Sequence, residues 1–449
     1  MAVKPPLVPN AKPIVGHAPG IFKDQLEFFS EAALTAPLSR LKIGWTDAYL
    51  IANHELLYHV LVNDAKKYDK GVQYERARAL LGNGVLLAEG DFHFRQRRLM
   101  QPMFNKPSID DYIDAMHQYS VAMVESWSDF GVVRLYPEFY RLATRVVIDT
   151  LFSTTMNDAD VALVQSRMPV VISGMQKRGA LPTKVFDALP TAEKRTFYTA
   201  IGELRALGDR LVERRLAADR ASSDWADLID VLANVDDETA RRDNDRAQIL
   251  NEFLTFLTAG SETTPSAMAW CCYLLARHPD VQEQLREKVT GLDVVAEGTA
   301  QALHRVPLLQ AVVKESLRLY PPVWFLGRRT LAPTTLGGYA LPTGSQVFYS
   351  VYTIQRDPAI YDDPDEFKPG RWLDGGKKYP RTAFLPFGAG VRNCIGEHFA
   401  WIETSITLVN VLQRYHLSLL PGQQVRPATM GSLVPAGDLP MRLESVVKR

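Results

Sequence analysis

The sequence predicts a mainly α-helical protein with a smaller β-rich part, and three observations carry that prediction. Apolar residues recur at three- and four-residue spacing over about 107–129, 135–153, 160–176 and 192–220, which gives each helix one buried face. An apolar-rich run from about Arg246 to Arg277 is long enough, at 1.5 Å per residue, to span about 45 Å and cross a whole domain. Beyond about residue 320 the texture changes to short strand-like pieces set between Pro and Gly.

Taken in order, the chain opens on a proline-rich lead-in over residues 1–20, with Pro5, Pro6, Pro9, Pro13 and Pro19. Residues 40–52 predict two short strands around a turn at Thr46-Asp47, followed by a helix from about His54 to Val62. The stretch Lys70–Gly90 is irregular, with Gly82, Gly84 and Gly90 as punctuation. Arg178–Pro182 reads as a loop between helices, and the densely charged Asp236–Asp245 as an exposed connection. The chain has no internal repeat and no low-complexity tract, so residues 1–449 are expected to form a single domain.

The composition is globular, with 46% hydrophobic and 23% charged residues, and 51 basic side chains balance 51 acidic ones. Neutrality gives no argument for a nucleic-acid partner or a strongly charged substrate. Three cysteines, Cys271, Cys272 and Cys394, cannot build a disulfide framework, so a reducing, cytoplasmic setting is expected. The first forty residues contain no run of 18 apolar residues and no basic-then-apolar leader, and the expectation is a soluble monomer without a membrane anchor.

The stretch with the most chemistry is Phe387-Gly388-Ala389-Gly390-Val391-Arg392-Asn393-Cys394-Ile395-Gly396. Phe399, Ile402, Ile406, Val409 and Leu412 then repeat on one helix face, so Cys394 is expected in the first turn of a helix. There, unpaired N–H groups and the positive end of the dipole favour thiolate. Gly388 and Gly390 permit a tight turn, and Gly396 removes a side chain where something flat could approach. Arg392 is placed to meet an anionic group, and Phe387 to cover the sulfur. This is a thiolate offered to a large planar cofactor carrying acid groups, which haem satisfies.

Midway along the long helix stands Ala259-Gly260-Ser261-Glu262-Thr263-Thr264-Pro265. Pro265 cannot donate to the Ser261 carbonyl, so a local kink or widening is expected there. Glu262 and Thr263 beside it are a carboxylate and an alcohol able to pass protons. Glu315 and Arg318 stand three apart and share a helix face. His93 and Arg97, four apart, share another.

These stretches resemble the cytochrome P-450 family. The cysteine loop matches its haem signature Phe-x-x-Gly-x-Arg-x-Cys-x-Gly at every specified position, and Ala259–Thr264 resembles its oxygen-activation motif. The resemblance covers roughly residues 10–443 and implies that family's fold, with haem b between the long central helix and the cysteine-loop helix. It implies Cys394 as the iron ligand and Glu262 and Thr263 as the catalytic proton-handling pair. Ala259 and Gly260 would lie over the distal haem face. Further cofactor contacts would come from His93, Arg97, Arg328, Phe387, Arg392 and Gly396, with Arg329 a close rival to Arg328. Arg371 would join Glu315 and Arg318 in a buried structural triad; Gly370 replaces the glutamate often found before that arginine.

The activity implied is a haem-thiolate monooxygenase inserting one atom of O2 into a hydrophobic small molecule by hydroxylation or epoxidation. The Lys70–Phe104 region looks similar to members that oxidise terpenes in secondary metabolism. Pocket walls are expected from Lys70–Gly90, Met168–Pro182, Phe256, Ala259 and Val323–Leu326, with Trp324 and Phe325 prominent. No electron-transfer module fits outside the fold, so ferredoxin and ferredoxin reductase are expected as separate donors, with Arg95 and Arg98 candidates for docking. A peroxide-driven peroxygenase and a non-enzymatic haem sensor are the alternatives; the acid–alcohol pair argues against the first.

Overall fold

A computed structural model describes residues 4–127, 131–179, 191–217, 227–235, 238–295, 302–303, 305–373 and 376–446. The four amphipathic stretches form helices at Lys106–Glu125, Leu135–Phe152, Asp158–Gly179 and Ala192–Ala217. Arg246–Arg277 is one central helix, capped at its start by Asp245, whose side chain accepts the Gln248 N–H. Of the expected loop at Arg178–Pro182, positions 178–179 finish a helix and 180–182 lie outside the described residues. The charged stretch Asp236–Asp245 is exposed at Glu238, Thr239, Arg241, Arg242 and Asp245, as expected, and Glu238–Asp243 within it forms a short helix.

The main apolar core forms around the central helix, which is buried on most sides from Glu252 to Thr258 and from Thr264 to Leu275. Leu135–Phe152 packs along one flank, and the helix Glu397–Arg414 along another. Trp270 stacks on Tyr320 at 3.8 Å and donates its Nε1–H to the Leu433 carbonyl. That contact ties the helix to the hairpin Pro427–Met430/Ser432–Pro435.

The β-rich part centres on a five-stranded sheet in spatial order Leu38–Ile43, Thr46–Ile51, Gln346–Ser350, Phe325–Thr330, Tyr68–Asp69. Its first hairpin turns at Gly44-Trp45, with Ile43 paired to Thr46. The expected turn at Thr46-Asp47 is therefore corrected: Gly44 adopts φ +59°, which a two-residue hairpin loop accepts at its first position. Asp47 instead sits in a strand, paired with Lys4, Arg40 and Lys42. The helix expected at His54–Val62 is α only to Tyr58 and continues as a π turn over His59–Asn63. The Lys70–Gly90 stretch holds two short helices, Val72–Glu75 and Arg78–Leu81. No described helix is long and apolar enough to cross a membrane.

Candidate active site at the cysteine loop

Gly388 and Gly390 adopt φ +73° and +68°. A Cβ on Gly390 would stand 2.3 Å from the Leu61 carbonyl oxygen, so only glycine lets the loop seat on the His59–Asn63 turn. The Cys394 N–H donates to the Phe387 carbonyl at 2.8 Å, closing the loop. Phe387 packs on the core, its ring 6.1 Å from Trp401. Gly396 caps the helix Glu397–Arg414, which puts Cys394 two residues ahead of the cap rather than in the first turn. A Cβ on Gly396 would meet nothing closer than the Phe104 ring at 3.8 Å.

Cys394 is exposed. The surrounding protein atoms, and after them the Glu397 charge, push its thiol up to about 11, against the pull of the Gly396 N–H and the Arg97 charge. Deprotonation has to come with metal binding, as it does for any thiolate ligand.

Basic groups gather beside this loop. Arg97 reaches from the helix Gly90–Met100 and donates to the Asn393 carbonyl and its Oδ1, both at 2.7 Å. Arg392 donates to the Ala88 carbonyl and pairs with Glu89. Arg328 feels Tyr349, Tyr74 and Glu89, while Arg329 is tied to Asp69 at 2.6 Å and Glu75 at 3.0 Å. The two neighbouring arginines thus part: Arg329 is bound to acids, and Arg328 faces inward beside other cations.

Lys70 belongs to the same group, although nothing local in the sequence marks it. Burial first, then Arg328 and Arg392, push its ammonium well below the usual range, and only Glu89 opposes them. Burial, then Arg392, Lys70 and Arg97, drive His93 down to about 3, so its imidazole is neutral. His93 Nδ1 is buried without a partner.

The central helix runs unbroken through Pro265, so the expected widening is not seen. Side-chain hydroxyls bond back along the helix instead: Ser261 to the Leu257 carbonyl and Thr263 to the Ala259 carbonyl at 2.9 Å. Ala259 is exposed, and Gly260 and Thr263 partly so, on a helix otherwise buried here. Glu262 does not share that opening. It is buried, accepts from Tyr140 Oη at 2.7 Å, and burial raises its carboxyl to about 8 against that bond. Tyr140 lies 122 positions away, beyond the reach of local sequence reading.

Comparison with known proteins decides what this arrangement is. The family model described as cytochrome P-450 matches residues 5–442. The chain belongs to the cytochrome P-450 family. This P-450 is 36% identical over 441 residues to cyclooctatin synthase of Streptomyces melanosporofaciens, covering 97% of this chain and 94% of the relative. It is 34% identical over 418 residues to cyclooctat-9-en-7-ol 5-monooxygenase of the same organism, covering 92% and 90%. It is 33% identical over 440 residues to pentalenene oxygenase of Streptomyces avermitilis, covering 97% and 96%. This P-450 is a monooxygenase, and its cofactor is haem b held through a cysteine thiolate.

The residues present fit that cofactor. Arg392, Arg328 and Lys70 gather around one carboxylate, Glu89, with Arg97 beside Arg392, and His93 keeps an unpartnered buried nitrogen. Such an excess of desolvated cations calls for anionic partners, which haem propionates supply.

In this P-450 the loop is braced by buried charge. Glu315 takes two bonds from Arg318, at 2.9 and 2.8 Å, and one from Arg371 Nε at 2.8 Å. Trp372 Nε1 and the Lys368 N–H complete its shell at 2.8 and 3.0 Å. Burial would raise the Glu315 carboxyl, but Arg318, the Lys368 N–H and Arg371 hold it below its usual range. Arg318 also gathers the Gln355, Pro364 and Glu366 carbonyls, so the triad organises the segment leading to the cysteine loop.

Of the expected pocket residues, Phe256 and Trp324 are buried in core clusters, and Phe325 packs partly buried against one of them. Phe256 stacks on Phe104 at 5.3 Å, and Phe104 in turn meets Phe399 of the cysteine helix. Trp324 and Phe325 pack with Phe29, and Phe325 also stacks on Phe348, in a separate cluster under the first hairpin. Apolar character alone does not separate a pocket wall from a core. Val323 remains half-buried ahead of the strand. Helix Asp158–Gly179 supplies side chains above the central helix that the sequence marks only as a range: the Met168 sulfur accepts from Thr258, and Ile172 meets Gly431 of the hairpin. Arg95 is engaged by Asp243 at 2.7 Å, which removes it as a free docking charge; Arg98 is exposed.

Proposed function

We propose that this P-450 oxidises a hydrophobic terpenoid of secondary metabolism, by hydroxylation or epoxidation, with Cys394 as the thiolate ligand. Support for the substrate class comes from relatives named for cyclooctat-9-en-7-ol, cyclooctatin and pentalenene, each aligned over at least 92% of this chain. When bound, the haem supplies O2 binding and reductive cleavage, and the protein supplies position and protons.

Arg97, Arg328, Arg392, Lys70 and His93 would hold the cofactor's acid groups, and Phe387 would shield the sulfur. Ala259 and Gly260 leave room on the central helix. Glu262, raised to about 8, is protonated at neutral pH and serves as the proton donor. The Thr263 hydroxyl on the open face aligns the proton's delivery. Glu315, Arg318 and Arg371 keep the loop in place.

Electrons reach the protein from separate donors, a ferredoxin and its reductase, with Arg98 on the docking side. Buried free thiols at Cys271 and Cys272 suit a reducing compartment, and the proposal sets the protein in the cytoplasm as a monomer. Spectral titration of the haem-loaded protein against cyclic terpenes, steroids, macrolides and fatty acids tests the substrate class. A spin-state shift with cyclic terpenes, followed by an oxygenated product, is the expected result; a response to fatty acids alone would overturn it.

A further inference from the structure

Three glutamates buried in the helical core are shifted upward: Glu252 to about 7, Glu262 to about 8 and Glu403 to about 8. They differ in what they touch. Glu252 accepts from the Val85 N–H and the Gln248 amide, neither of which gives up a proton near neutral pH. Glu403 leaves Oε1 without a partner. Glu262 receives a phenol, an acid that can hand on a proton and recover it.

That phenol, Tyr140, lies on Leu135–Phe152, the helix packed along the central one. One turn earlier stands Tyr136, half-buried, its ring 6.2 Å from that of Tyr140 and edge-on to it. Asp438, at the surface in an ion pair with Arg134, is the next charge outward from Tyr136. The titratable groups facing Glu262 are thus Tyr140 and Tyr136, with Asp438 and Arg134 behind them. The order Asp438, Tyr136, Tyr140, Glu262 runs from solvent to the residue beside Thr263.

We propose that Tyr140 positions Glu262 and reloads it with protons that enter beside Tyr136. The proposal rests on the reading of Glu262 as proton donor. As Glu262 gives its carboxyl proton toward Thr263, Tyr140 passes its hydroxyl proton along the 2.7 Å bond to the carboxylate. The phenol oxygen takes a proton from solvent water admitted at Tyr136. One proton enters for each that leaves, and no electron moves. Burial holds Tyr140 well above the ordinary tyrosine range, so the two transfers are concerted and no lasting tyrosinate forms.

Tyr140→Phe removes one oxygen and keeps the ring. Three readouts on the haem-loaded protein test it: product formed per NAD(P)H consumed, product formed with hydrogen peroxide, and the infrared carbonyl band of Glu262, assigned with Glu262→Gln, titrated from about pH 6 to 9. With redox partners the coupling is expected to fall about tenfold, less than the roughly 10²–10⁴-fold of a lost general acid because Glu262 itself remains. Peroxide already carries its protons, so that route is expected to hold within about twofold. The infrared midpoint is expected to rise, because the Tyr140 bond lowers it.

Unchanged coupling, or equal losses by both routes, would overturn the relay, and an unmoved midpoint would overturn the positioning. Tyr136→Phe keeps the 2.7 Å bond and is expected to weaken coupling without moving the midpoint; it decides the matter if Tyr140→Phe does not fold. Absence of product from the wild type by either route would instead sink the activity assigned above, and the midpoint would still decide whether Tyr140 sets Glu262.

Discussion

Replacing Glu315 with Ala is the most severe single change the structure offers outside the loop itself. The carboxylate and the Arg318 side chain are both 0% exposed, and Arg371 is 5% exposed. Removing the acid leaves two guanidinium groups in low dielectric with no counter-charge, which costs about 3–5 kcal/mol for a broken buried pair. The Trp372 N–H and the Lys368 N–H lose their acceptor as well, at about 1–3 kcal/mol for each left unsatisfied. These terms are not additive, so a total of about 5 kcal/mol is expected, comparable to the whole stability of many domains.

Exposed Glu238 paired with Arg242, both more than three-quarters exposed, is the control, with Glu238→Ala expected to cost under about 1 kcal/mol. Urea unfolding of the haem-loaded protein, followed by circular dichroism and the Soret band together, reads both variants. A loss below about 1 kcal/mol for Glu315→Ala, with haem retained, would refute the idea that this triad braces the loop. Because the Glu315 carboxyl is held below its usual 4.5, its contribution is full above that pH. It is lost as pH falls through the lower, folded value, so the variant's deficit should shrink in acid.

Gly390→Ala meets both a left-handed φ and the Leu61 carbonyl, whereas Gly388→Ala meets the φ alone, with its nearest atom at 3.9 Å. The second is expected to cost about 1–2 kcal/mol and the first clearly more, read as melting temperature and retained haem. Glu403, raised from 4.5 to about 8, contributes stability that is full below pH 4.5 and lost as pH rises through about 8. Glu403→Gln should therefore flatten the decline in urea midpoint between pH 5 and 9, and an unchanged decline would refute it. Arg328→Gln is expected to weaken haem retention in competition with apomyoglobin, while Arg329→Gln, which breaks only the Asp69 and Glu75 pairs, leaves it nearly unchanged. Equal effects would refute the separation of the two.

The cysteine loop and the helical frame were legible because each needs specific residue types at fixed local spacing. Gly390 is required by a turn and a close approach, and the apolar faces of the long helices follow from period alone. Features set by distant contacts were not legible. Tyr140 meets Glu262 across 122 positions, and Lys70 joins Arg392 only once the fold is made. Trp324, Phe325 and Phe256 have the composition of a pocket wall, and only tertiary packing shows Trp324 and Phe256 buried in core clusters with Phe325 packed against one. The hairpin turn lay two residues earlier than expected because the Gly44 φ, rather than the polar pair Thr46-Asp47, sets the register.

The ligand itself is tested most directly by the reduced, carbon-monoxide-bound spectrum of the wild type beside Cys394→Ser, with haem content measured in both. The account predicts the far-red-shifted Soret band of thiolate ligation in the wild type and its loss in the variant. A wild type without that band, or a variant that keeps it, would contradict the assignment of Cys394.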